Sequence, residues 1–163
     1  MTISVVGSTG IGNTLLSSFD NALKNAGVYN YNLISLSSII PTGFDVVKVK
    51  KIKSPVNEIG WRLYVVMADI RTDDPDKYIA AGIGWYKTKN GAGVFVEHKS
   101  EGNDEKKVTK ELENKIATSI EDLCKFRKEV YNKKNLNMEI SVAKPSKKPH
   151  CALSIAVYKA EPW

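Results

Sequence analysis

Residues 19–41 read FDNALKNAGVYNYNLISLSSIIP, and the pattern passes from helix to strand to turn along the way. Phe19, Ala22, Leu23 and Ala26 recur at helical spacing and extend upstream through Leu15 and Leu16. That spacing predicts a helix from Asn13 to Ala26, with Gly27 placed to end it. Residues 30–37, NYNLISLS, then predict a strand that runs into Ser37, Ser38, Ile39, Ile40 and Pro41. Proline keeps its predecessor extended and so helps define the turn. Serine is common in turns, so a serine pair at a strand end says little by itself.

Working outward, residues 3–6 (ISVV) predict a short strand that meets GSTGIG at 7–12. A glycine pattern between strand and helix is where a dinucleotide fingerprint belongs. The next strand, however, ends in Leu36, Ser37 and Ser38 with no acid for a ribose hydroxyl, and no Tyr-x-x-x-Lys occurs. The expectation is therefore a tight strand-to-helix turn or a nest of backbone amides. Downstream, residues 44–53, 61–71, 78–87 and 91–99 predict strands, with DDPDK at 73–77 as a strong turn signal. Residues 104–130 return to helix, where Val108, Leu112, Ile116, Ile120 and Leu123 form one apolar stripe. Strands at 136–143 and 151–158 complete an α+β domain over residues 1–163, with a largely antiparallel sheet and two main helices.

The 163 residues suffice for one core, and the 42% hydrophobic content is that of a globular protein. No apolar run approaches the roughly 18 residues that cross a bilayer. The start, MTISVVGSTG, lacks the basic and small-residue features of a secretory signal. The expectation is a soluble, cytoplasmic chain without membrane association. Net charge is +6, with lysines clustered at 48–53, 105–110, 132–134 and 144–148. These clusters fall among turns and polar helix faces, so solvated charge is expected and no nucleic-acid partner. Cys124, Cys151, His98 and His150 form no C-x-x-C or H-E-x-x-H, so no metal site is expected. A papain-like Cys/His pair has no local support.

The segment 19–41 resembles the processing region of the pyruvoyl-dependent arginine decarboxylases. The shared features are F-D before an A-L helix, N-A-G, a hydrophobic run after asparagine, and S-S-I-hydrophobic-P. Looser likeness continues through GVFVE at 93–97, the helix near Glu105 and CALSIAVY at 151–158. Two departures stand out: the loop GSTGIGN in place of a more acidic, proline-containing version, and the lysine-rich stretch at 48–53.

The resemblance implies a four-layer αββα sandwich that assembles as a trimer or hexamer, with active sites between neighbouring subunits. It implies autocatalytic serinolysis between Ser37 and Ser38, giving chains 1–37 and 38–163 that stay packed together. Ser38 would become a covalent pyruvoyl group, the electron sink usually supplied by pyridoxal phosphate. Neither pyridoxal phosphate nor a metal is then expected. The implied reaction is decarboxylation of L-arginine to agmatine and carbon dioxide, a lyase activity serving polyamine biosynthesis or acid resistance. Asn32 matches the asparagine that assists cleavage, with its amide expected near the Ser37 carbonyl. Glu97 matches the proton donor, and a carboxyl in an apolar strand can hold a proton near neutral pH. His98 is the next acid, facing away from Glu97 if the segment is a strand. Asp20 matches the acid that takes the substrate guanidinium, a fork that a carboxylate meets with two parallel bonds. The alternatives are another amino acid as substrate, or an unprocessed, non-catalytic homologue.

Overall fold

Strands with alternating apolar residues dominate the chain, and they sort into two sheets. The computed structural model describes residues 1–163. In the first sheet, β1 (Thr2–Ile11) lies beside the short β4 (Asp45–Lys48), and β5 (Arg62–Thr72) lies beside the short β2 (Asn32–Ser35). With β9 (His150–Glu161) at the centre, the order is β2-β5-β9-β1-β4. The second sheet takes β3 (Ile39–Ile40), β6 (Tyr78–Lys87), β7 (Gly93–Gly102) and β8 (Asn137–Ala143), in the order β3-β7-β6-β8. The β1–β4 and β2–β5 pairs are parallel. All the others are antiparallel.

Alternation along β6 shows why the layers form. Ile79, Ala81, Ile83 and Trp85 face the gap between the sheets, where they meet Ile3, Val5, Val66, Phe95 and Ala156. Ala80 and Tyr86 face the other way, onto Val108, Leu112, Ile116 and Ile120 of helix α2 (Glu105–Phe126). Helix α1 (Leu15–Ala26) covers the first sheet, with Ala22, Leu23 and Ala26 against Val6, Leu63, Val65 and Leu153. Three apolar cores separate four layers in the order helix, sheet, sheet, helix. Each fully buried Leu or Ile contributes roughly 1.5–3 kcal/mol, so the stripe of Leu112, Ile116 and Ile120 is enough to hold α2 in place. Neither helix is long and apolar enough to cross a membrane.

Several boundaries differ from the pattern reading. The GSTGIG stretch is neither loop nor nest: β1 runs straight through to Ile11, with Gly7, Ser8, Thr9 and Gly10 paired to β9. Gly10 and Gly12 serve helix packing, since a Cβ at Gly10 would land on the backbone of Ser18 and Ala22, whereas Gly7 faces Glu139 and Ser141 of β8. Helix α1 starts later than Asn13 because Thr14 caps it, its hydroxyl accepting from the Ser17 amide at 3.0 Å. Gly27, at φ 90°, ends it as expected. The strand expected over 44–53 stops at Lys48, and the Ile52 amide instead donates to Ala26 O at 2.8 Å, beside the helix end. Cys151 and His150 are buried apart from any catalytic arrangement. The Cys151 thiol sits under α1 with its pKa pushed up to about 12, chiefly by burial. The His150 ring lies against the carbonyls of Lys77 and Lys148.

Candidate active site

The strand expected over 30–37 is confined to Asn32–Ser35, and the break that follows it makes the site. β2 lies on one edge of the first sheet and β3 on one edge of the second, so residues 36–38 carry the chain from sheet to sheet. The Leu36 amide donates to Val65 O at 2.8 Å, fixing the entry to this crossing. Ser38 takes φ 66°, left-handed backbone that side chains rarely adopt. A residue held there costs about 1–2 kcal/mol, and such strain persists only where the surroundings impose it.

β7 imposes it. The Phe95 amide donates to Ser38 O at 2.8 Å. Two residues along the same strand, Glu97 Oε1 accepts the Ser38 hydroxyl at 2.6 Å. One β-strand therefore grips both the carbonyl and the hydroxyl oxygen of the second serine. On the next strand layer, the Tyr158 hydroxyl donates to Ile39 O at 2.8 Å, and its ring meets Phe95 edge-on at 6.1 Å.

Ser38 and Glu97 open into a cavity of about 440 Å³, which α2 closes with Ser119, Asp122 and Phe126. His98 also lines it, and its Nε2 lies 2.7 Å from Ser119 Oγ. Its pKa is lowered, mostly by burial and further by Lys115, with Glu97 acting in the opposite direction. The imidazole is therefore an acceptor or neutral donor near pH 7, engaged with α2.

The structure brings Ser37, Ser38 and Glu97 together and leaves two expected residues elsewhere in the subunit. Asn32 begins β2, roughly 16 Å of extended chain from Ser37. Its amide donates to Gly60 O at 2.6 Å, away from the Ser37 carbonyl. Asp20 is exposed on α1, beyond the first sheet, and lines a separate cavity with Asn13, Ser17 and Lys148. The Phe95 amide, the Tyr158 hydroxyl and Asp122 were not singled out by pattern. A backbone donor leaves no residue-type signal, and Tyr158 is 119 residues from Ile39.

Comparison with known sequences supplies the family. A family model for pyruvoyl-dependent arginine decarboxylase (PvlArgDC) matches residues 2–162. The chain belongs to this family. It is 36% identical over 120 residues to the pyruvoyl-dependent arginine decarboxylase of Methanococcoides burtonii, covering 71% of this chain and 65% of that one. To the enzyme of that name from Thermococcus kodakarensis it is 38% identical over 90 residues, 55% of this chain and 54% of the relative. For Methanocaldococcus jannaschii the figures are 33% over 118 residues, 71% and 67%. The chain spans between about half and two thirds of the length of these curated relatives. A member of the pyruvoyl-dependent arginine decarboxylase family needs a place for a pyruvoyl group, and position 38 is the candidate. It fits: the residue's carbonyl is held by an amide, and a carboxylate stands beside its side chain.

Proposed function

We propose that this chain cuts itself between Ser37 and Ser38, yielding chains 1–37 and 38–163, and then decarboxylates L-arginine to agmatine and carbon dioxide. The observation carrying the reading is the Ser38 hydroxyl on Glu97 Oε1 at 2.6 Å, at a left-handed residue. A serine hydroxyl needs a base and close positioning to attack an amide. Glu97 takes the hydroxyl proton as Oγ bonds to the Ser37 carbonyl carbon, and returns it to the Ser38 nitrogen as the peptide C–N bond breaks, leaving an ester and a free amine. Loss of the Ser38 α-proton then breaks Cβ–Oγ and releases the Ser37 carboxylate. Water replaces the nitrogen on the resulting alkene carbon, and ammonia leaves. No oxidant enters this sequence.

The pyruvoyl group so formed supplies a ketone that takes the substrate's α-amine and accepts the electron pair left by carbon dioxide. The Phe95 amide stays on the neighbouring carbonyl, where it orients the group and favours negative charge. Glu97 loses its serine partner and delivers a proton to the substrate α-carbon. Asp122, on the wall of the same cavity, adds a carboxylate facing a cationic substrate. Asp20 and Asn32 then serve from an adjoining copy, so we read the working form as a trimer or hexamer with shared sites, acting on cytoplasmic arginine in polyamine biosynthesis or acid resistance.

Incubating the purified protein separately with arginine, ornithine, lysine and histidine tests the substrate. Agmatine from arginine, with little product from the others, is expected; preferential turnover of another amino acid would overturn the assignment. Asp20→Ala should weaken arginine turnover and spare self-cleavage, and unchanged arginine kinetics would remove Asp20 from the substrate site.

A further inference from the structure

The cut between Ser37 and Ser38 leaves residue 38 as a chain end, and most of what held it goes with the cut. The anchor at Leu36 belongs to the other chain after the cut, and the Ser38 Oγ that bonded Glu97 stays with the Ser37 carboxylate. What remains is a two-residue edge strand, pairing Ile39 with Val94 and Ile40 with Gly93, together with the Phe95 amide on Ser38 O. Ile40 is fully buried, whereas Ile39 leaves 49% of its surface exposed, so apolar packing secures the second residue of β3 and not the first. Chain ends with few buried contacts fray.

We propose that Tyr158 is a positioning residue that ties this new chain end across the two sheets and keeps residue 38 aligned with Glu97. The inference rests on the self-cleavage reading above. Tyr158 projects from β9 in the first sheet, yet its hydroxyl bonds Ile39 O in the second at 2.8 Å. The bond involves neither Ser37 nor Ser38 Oγ, so cleavage leaves it intact. Its ring lies edge-on to Phe95, whose amide makes the other surviving tie, so one side chain braces both. Burial, with Glu97 nearby, raises the phenol pKa and keeps it a donor across the working pH range.

Tyr158→Phe in the full chain removes the hydroxyl and keeps the ring. Amide hydrogen exchange at Phe95 reports directly on the bond to Ser38 O. In the processed variant it should quicken about five- to tenfold, the ratio that one ordinary hydrogen bond carries. Exchange at Trp85, on the neighbouring strand, should stay at its wild-type rate. Turnover should fall by a similar factor in kcat with KM within about twofold, because the reacting end is misaligned while the substrate pocket is untouched. If either the Phe95 exchange or kcat keeps its wild-type value, the inference is overturned. Loss of cooperative unfolding in the variant also overturns it, since Tyr158 would then be part of the fold itself. A wild-type chain that never separates into two pieces defeats the cleavage reading instead, and that result is distinguishable because it needs no variant.

Discussion

At the residue scale, Ser38 carries both the strain and the proposed nucleophile. Its φ of 66° and its hydroxyl bond to Glu97 are imposed by a single strand, so the proposed attack on the preceding carbonyl would start from an oriented oxygen beside a carboxylate. Ser38→Ala should fold and remain one chain of 18.1 kDa on denaturing electrophoresis, with no decarboxylase activity. Two fragments from that variant would place the nucleophile elsewhere. Glu97→Gln keeps an acceptor oxygen for the hydroxyl and loses the titratable proton. It should still cleave itself, but more slowly for want of the base, and the matured chain should lose about 10²–10⁴ in turnover; wild-type kcat would remove Glu97 as the proton donor. The serine pair and Glu97 were readable in the sequence because each is a residue type inside a recognisable string. The left-handed turn and the two hydrogen bonds that hold it were not, because they arise from pairing with strands far along the chain.

At the element scale, the strand and helix stripes were legible wherever a long run alternated or kept helical spacing, as in β6 and α2. The glycine-rich stretch misled because loops and close-packed strands use the same residue for different reasons. In β1 glycine admits the backbone of α1, and the ladder to β9 absorbs the amides that a nest would offer. Gly10→Ala should therefore cost about 1–3 kcal/mol as overpacking, read as a lowered urea midpoint; an unchanged midpoint would contradict the close approach. The contact of β7 with α2 gives a second prediction. Folded His98 resists protonation more than unfolded His98, whose pKa is near the usual 6.5, so the unfolded chain binds more protons just below that pH. The stability that neutral His98 contributes is present above about 6.5 and is lost as pH falls toward the lowered folded value. His98→Gln should flatten the loss of stability below pH 6.5 in urea titrations; an identical slope would assign the dependence to other groups.

At the scale of the whole molecule, four layers keep Asp20 and Ser38 apart: one is on α1 outside the first sheet, the other on the edge of the second. A reaction that uses both needs at least two copies. Chains carrying Asp20→Ala and Glu97→Gln, each poorly active alone, should recover part of the activity when co-expressed, since mixed assemblies contain sites with both residues intact. No recovery in assemblies shown by native mass spectrometry to be mixed would contradict the shared site. The four-layer architecture was available from the resemblance. The separation of these residues was not, because a strand order that interleaves early and late segments cannot be read from local pattern.

The most direct test is the intact mass of the purified protein, before and after borohydride treatment in the presence of arginine. The account predicts two masses, for residues 1–37 and 38–163. Only the larger should gain a borohydride-trapped arginine adduct, at its first residue. A single 18.1 kDa species that traps nothing under conditions where the folded protein is stable would contradict it.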